Sequence, residues 1–238
     1  MKKKILHINF FEKEGGAAIA ANRIHKYLVS NKVDSYLLVS EKQTNDTRIF
    51  SPDSTFEKKL WKLKKKISRN LGFFFKTKNK NTHSIGFFPS NILNKIKKIN
   101  PDIVHLHWIG NEMISIKQIS KINKPIVWTL HDMWPYCGAE HYTQDDRFKN
   151  SYQKNNRPNY EKGFDLNKWV WERKKKYWNF KINVICTSKW QKEMASNSIL
   201  FKNQNIDLIP LPLDTEKWIP INKVAAKKML GLEKNKKT

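Results

Sequence analysis

Cysteine is nearly absent from this 238-residue sequence: Cys137 and Cys186 are the only two, 49 positions apart. Two thiols so placed make neither a disulfide framework nor a four-thiolate zinc site. That excludes a small secreted scaffold and points to a reducing compartment. Acidic residues are also scarce, 21 against 46 Lys and Arg, which leaves a formal charge of +25. Such an excess predicts attraction to polyanions, whether nucleic acid, anionic lipid headgroups or phosphorylated substrates. An AT-rich coding genome, which enriches Lys and Asn, would by itself give part of it. No eighteen apolar residues run together, the greasiest patch being Leu71 to Phe75, so no spanning helix is expected. The apolar run after Lys2 to Lys4 is broken by His7 and Asn9 and stops at Glu12, so it is not read as a signal peptide. A cytoplasmic chain that lies on a membrane, not through it, is the expectation. The GxGxxG fingerprint and the lysine-bearing phosphate loop are both missing, which removes dinucleotide oxidoreductases and P-loop NTPases. No repeat occurs at periods of about 20 to 50 residues.

What the chain does have is aromatic mass: 13 Phe, 9 Trp and 7 Tyr, enough large apolar surface to offset the entropy of ordering the backbone. Short apolar runs read as buried strands at Lys4 to Phe10, Val33 to Val39, Ile103 to His107, Ile126 to Leu130, Asn183 to Cys186 and Ile206 to Ile209. Helical spacing falls between them, over Ala17 to Leu28 and Asn91 to Ile99, with Ser188 placed to cap a helix from Lys189. Strands alternating with amphipathic helices predict a doubly wound α/β fold with a mostly parallel sheet covered on both faces. The polar, turn-rich stretch 136–165 is longer than an ordinary connection and too rich in Tyr and Phe to be a spacer.

In such sheets ligands sit beyond the carboxyl ends of the strands. That rule selects Gly15 and Gly16 after the first strand, His105, His107 and Trp108 after the third, and His131, Asp132 and Trp134 after the fourth. Gly15 and Gly16 suit a turn that brings backbone N–H groups and a helix N-terminus close to an anion, or they merely turn the chain. His131 beside Asp132 suits the positioning of a hydroxyl or the sharing of a proton, against the alternative of a satisfied polar residue. His105 and His107 alternate onto one side of their strand, so at most one of them is expected to touch ligand. Cys137 and His141 have i, i+4 spacing, with Asp145 and Asp146 nearby, but no second Cys or His pair lies at finger-like distance, and no metal is expected. Glu140, Asp145 and Asp146 neighbour Arg147 and Arg157 and are equally read as a salt-bridged loop.

Phe56, Leu60, Leu63, Ile67 and Leu71 recur at spacings of four, three, four and four, with Lys58, Lys59, Lys62, Lys64, Lys65, Lys66 and Arg69 between them. This predicts a basic amphipathic helix. Two placements fit it: an anionic bilayer surface reached by Lys58, Lys59, Trp61, Lys62, Lys65 and Lys66 and followed by Phe73 to Phe75, or an ordinary surface helix whose apolar stripe packs on the sheet.

Five segments in order, GGAAIAANRIHKYL, PDIVHLHWIG, PIVWTLHDMWPYCGAEHY, FDLNKWVWERKKKYW and IPLPLDTEKWIP, together resemble the N-terminal half of a family 4 (group 1) glycosyltransferase of the GT-B fold. The resemblance implies two Rossmann-like domains facing across a cleft, which move a sugar from a nucleotide donor to a glycan or lipid-linked acceptor with retention and without metal. Cell-surface polysaccharide assembly (O-antigen, capsule) at the inner face of the plasma membrane is the implied setting, with the basic helix as membrane anchor. His131, with Asp132 beside it, matches the histidine that approaches the transferred sugar. Gly15 and Gly16 match the glycine loop near donor phosphates and acceptor, and His107 and Trp108 fall on the acceptor side. Where many relatives carry a cysteine cluster, this chain has Glu140, Asp145 and Ser151, and Leu211 replaces the usual asparagine between two prolines. By the same resemblance residues 1–212 form the acceptor-side domain and 213–238 lead toward a donor-binding domain, so that the chain is expected to be either a truncated product or one that needs a separate partner chain with the donor half. The chain alone is then expected to have little or no activity. The competing reading is a noncatalytic module that binds membrane or glycan through its basic surface; nucleic acid is not expected, since no helix-turn-helix, finger or RNP-type motif is found.

Overall fold

The computed structural model describes residues 3–52, 54–71 and 74–232. Phe73, part of the predicted aromatic tail, and Lys2 lie outside the described residues, as does the Leu71 side chain. The first half of the chain runs β1 (Lys4–Ile8), α1 (Gly15–Ser30), β2 (Asp34–Leu38), β3 (Ile49–Phe50), α2 (Thr55–Leu71), β4 (Phe75–Lys76), α3 (Ile92–Ile99) and β5 (Ile103–Leu106). The second half runs α4 (Ile116–Ile119), β6 (Ile126–Thr129), α5 (Arg147–Asn150), β7 (Lys162–Gly163), α6 (Leu166–Tyr177), β8 (Asn183–Cys186), α7 (Lys189–Ser196), β9 (Asn205–Leu208) and α8 (Lys223–Met229).

Seven strands form one sheet in the order β3-β2-β1-β5-β6-β8-β9, and every pairing in it is parallel. The doubly wound α/β class is therefore what the chain adopts. All six predicted strands are present, each within two residues of its expected bounds, and the sheet adds the two-residue edge strand β3. The chain winds outward from β1 through β2 to β3 and then crosses to β5 on the other side of β1. The order thus reverses between β1 and β5, the place where open α/β sheets gather their ligands. Central strands bury both faces: Leu6, Ile8, Val104, Leu106, Trp128 and Val184 are enclosed on one side, His7, Leu37 and Thr129 on the other.

The 136–165 stretch is a packed structural element. Tyr136, Phe148 and Tyr152 are buried in the core, and β7 pairs with β4 in a small antiparallel sheet of its own. Its centre is Arg147, which meets Glu161 at 2.7 Å and Asp145 and Asp165 at 3.4 Å each. Glu140 accepts from the Tyr152 hydroxyl at 2.5 Å, and burial pushes its carboxyl up to about 7. The salt-bridged reading of this loop is the one the structure bears out. Cys137 is fully buried, its thiol pushed well up by burial, so it is an inert core residue.

α6 packs across the same region and carries Lys174 with no exposure; its Nζ donates to the carbonyls of Trp134, Cys137 and Gly138. Burial lowers this amine to about 7. Three convergent carbonyls at a turn are thus satisfied by one long side chain, a partnership that makes so buried a lysine tolerable.

α2 presents its apolar stripe outward. Phe56 is 71%, Leu63 53%, Ile67 41% and Leu60 37% exposed. The inward face is instead formed by Trp61, whose Nε1–H donates to the Asn111 carbonyl at 3.1 Å, and by Ser68, whose hydroxyl donates to Glu112 at 3.0 Å. Of the two placements, packing of the stripe on the sheet is not the one observed. Trp61 turns in against Phe10, and the Lys65 ammonium sits over the Phe10 and Trp61 rings. Trp61 is thus turned inward and half-buried, whereas Lys58, Lys59, Lys62, Lys65 and Lys66 are exposed.

Candidate functional site

A cleft of about 560 Å³ opens at the carboxyl ends of β1, β5 and β6, lined among others by Gly15, Gly16, Trp108, His131, Asp132 and His141. The glycine turn and the His131 imidazole thus face one crevice. Gly15 begins α1 at φ +81°, a conformation that L side chains rarely adopt, while a Cβ there would meet nothing within 4 Å. Its need is conformational, not spatial. The helix cap, Glu14, makes no side-chain capping bond and no acidic residue lies in the first turn. The first N–H groups of this 16-residue helix are therefore left to the cleft, with the positive end of its dipole.

Asp132 lies on the cleft wall with both carboxylate oxygens occupied. Oδ2 takes the Trp108 Nε1–H at 2.7 Å and meets His141 Nδ1 at 2.5 Å, and Oδ1 accepts from the Trp134 backbone N–H at 3.0 Å. His141 Nε2 continues to the Ser84 hydroxyl at 2.8 Å. Ser, His and Asp are in the order of an acyl-transfer triad, but Ser84 is 3% exposed and does not line the cleft. The array holds the Trp108 indole and His141 in place and offers no nucleophile. The i, i+4 spacing of Cys137 and His141, from which no metal is expected, does not bring the two together as partners. The partners of His141 are Asp132 and Ser84 instead, and the signal that would have found this is only the return of the 136–165 segment over the sheet edge.

His131 does not pair with Asp132. Its Nε2 meets His107 Nδ1 at 3.2 Å, and His107 Nε2 meets His7 Nδ1 at 3.0 Å. Burial lowers the His131 imidazole to about 4, with Asp132 pulling weakly the other way, so it is neutral at pH 7. His105 bonds Thr129 at 2.8 Å, and burial lowers it to about 3. The predicted common side of His105 and His107 is observed, their rings 4.2 Å apart, but neither lines the cleft. His107, expected among the substrate contacts, is 2% exposed and stands behind His131. Trp134, expected at the rim, is 2% exposed in the core, its Nε1–H donating to the Ser84 carbonyl at 2.8 Å. Strand alternation gives the side on which a residue falls but not the depth, and the Trp134 ring falls beneath the turn that carries Asp132.

His7, His105 and His107 bring ring nitrogens within 4.8 Å of one another, the one group among the described residues with ligand atoms close enough to share an ion. All three are buried, and the charges acting on His7 are those of His105 and His25.

A parallel sheet flanked by helices, with a crevice at its switch point, defines a Rossmann-like domain. The chain belongs to Glycosyltransferase Family 4, whose family model matches residues 14–217. No curated protein matches the chain. Its class of chemistry is therefore glycosyl transfer between a sugar donor and an acceptor.

Proposed function

We propose that this domain is the acceptor-side half of a retaining transferase that moves a sugar from a nucleotide donor to a glycan or lipid-linked acceptor in cell-surface polysaccharide assembly, at an anionic membrane surface and without metal. The observation that carries the reading is the convergence of the free α1 N-terminus and neutral His131 on one cleft. The helix end suits a phosphate, and His131 suits a sugar hydroxyl or ring substituent near the reacting carbon. Charge stabilisation and positioning matter more than a strong base in an oxocarbenium-like transition state.

No Lys or Arg side chain lines this cleft among the described residues. One helix end is a meagre counterpart for a diphosphate, so in this reading the neutralising residues come from a donor-binding half. The purified 238-residue chain, incubated alone with a panel of labelled nucleotide sugars and membrane extract, should neither hydrolyse nor transfer label. Turnover by the chain alone would sink this division of labour.

The outward stripe of α2 supports the membrane setting: Phe56, Leu60, Leu63 and Ile67 exposed, with Lys58, Lys59, Lys62 and Lys66 beside them. Each lysine near an anionic surface contributes about 1 kcal/mol. Lys58→Gln with Lys62→Gln should weaken binding to phosphatidylglycerol vesicles about thirty-fold, with no effect on neutral vesicles. Co-sedimentation at physiological salt measures it, and equal binding by the variant would remove α2 from the interface.

A further inference from the structure

His131, His107 and His7 form a chain of imidazoles running from the cleft into the core, joined nitrogen to nitrogen at 3.2 and 3.0 Å. His131 lines the cleft, His107 is 2% exposed and His7 fully enclosed. At the deep end His7 Nε2 has no hydrogen-bond partner. We propose that His107 and His7 are positioning residues that hold His131 in its Nδ1–H tautomer, so that it presents a hydrogen-bond donor to the cleft. The purpose of this device rests on the function proposed above; its test does not.

The tautomers follow from a count of protons. A neutral imidazole carries one N–H and one bare nitrogen, and each junction needs one hydrogen between its two nitrogens. Only two arrangements meet both conditions. In the first, His131 Nε2–H donates to His107 Nδ1 and His107 Nε2–H donates to His7 Nδ1. His7 must then carry its own hydrogen on Nε2, a buried N–H with nothing to receive it. In the second, His7 Nδ1–H donates to His107 Nε2 and His107 Nδ1–H donates to His131 Nε2, and His7 Nε2 is left bare. A buried N–H without an acceptor is among the rarest unpaired groups in folded proteins, and an acceptor short of a donor is tolerated more readily. The second arrangement is therefore selected from the core outward.

The consequence at the surface follows directly. With Nε2 accepting, the only hydrogen on neutral His131 lies on Nδ1, which has no protein partner among the described residues. The two arrangements interconvert only if all three rings change together, so a fully enclosed side chain on β1 decides what the cleft histidine can offer. A ligand oxygen finds a donor already oriented, and a ligand group that itself must donate is disfavoured.

The full chain labelled with 15N-histidine, studied by two-bond 1H–15N correlation at pH 7.5, tests this. A His131→Gln spectrum assigns the His131 signals among the seven histidines. The expected wild-type pattern has Nδ1 protonated and Nε2 bare. In His107→Phe, which removes the donor, His131 should revert to the Nε2–H form that histidine favours in water. A protonated Nε2 on His131 in the wild type, or an unchanged Nδ1–H pattern in a folded His107→Phe variant, overturns the proposal. Should that variant not fold, the wild-type spectrum decides alone. Because the readout is a tautomer in the free protein, it stands whether or not sugar transfer is found.

Discussion

Between pH 7 and pH 5 the domain should lose at least about 2 kcal/mol of folding stability, a large part of the roughly 5 to 15 kcal/mol that folded domains possess. Four enclosed imidazoles set the sign. His131 is lowered to about 4 and His105 to about 3, and His7 and His107 lie well below their ordinary value, in each case chiefly through burial. Their unfolded counterparts take up protons near 6.5, so below that pH the unfolded state binds more protons and is favoured. The stability is complete above about 6.5 and is lost as pH falls toward the folded values; by pH 5 His131 and His105 together cost about 4 kcal/mol, and His7 and His107 act in the same direction. Glu140 works in the opposite direction. Burial raises it to about 7, so its contribution is fully present below the ordinary carboxyl range and is lost as pH rises through 7; on acidification to pH 5 it returns about 2 kcal/mol. Urea unfolding followed by Trp fluorescence from pH 8 to pH 5 measures the difference. A flat profile, or one that rises on acidification, would mean that these rings are already protonated or water-exposed in the folded chain.

That histidine chain also marks the limit of what the linear order of residues reveals. Alternating short apolar runs and helical stripes are local patterns, and they place β1, β2, β5, β6, β8 and β9 because buried parallel strands carry their signal in a few consecutive residues. The topological rule then places Gly15 and His131 at one rim. α6 is not announced in the same way: its inward stripe includes the charged Lys174 beside Val170 and Trp171, a break in periodicity that makes sense only once three carbonyls are seen to meet it. β4 and β7 are two residues each and exist only through their mutual pairing. His7 reads locally as a polar interruption of an apolar run, yet its register partner across the sheet is His105, and that juxtaposition is a property of the pairing. Likewise nothing near Ser84 predicts that it will receive His141, 57 positions away.

Replacing Arg147 with Ala should destabilise the domain by about 3 to 5 kcal/mol, the usual consequence of leaving a buried charge uncompensated. Arg147 is 1% exposed, and Glu161, its nearest partner at 2.7 Å, is also buried. Asp145 and Asp165 at 3.4 Å complete the set, and the guanidinium lies 4.7 Å from the centre of the Tyr152 ring. Arg157 also approaches Glu161, but at 3.7 Å, too far to take over the hydrogen bond. Lysine would keep the charge and lose the planar fork that reaches several carboxylates at once, so Arg147→Lys should recover only part of the loss. Arg147→Met, alone and combined with Glu161→Leu, isolates the carboxylate: if the penalty is chiefly the orphaned charge, the double variant should be more stable than Arg147→Met. Chemical denaturation of these variants makes the comparison, and a double variant no more stable than Arg147→Met would assign the loss to the missing guanidinium itself. The outcome reaches the cleft as well. The segment that Arg147 fastens includes His141 and Tyr142, and His141 is one of the groups holding Asp132. A weakened anchor should therefore loosen the wall opposite α1 before it unfolds the sheet, and amide exchange at residues 139–142 should rise in Arg147→Lys while β1 and β5 stay protected.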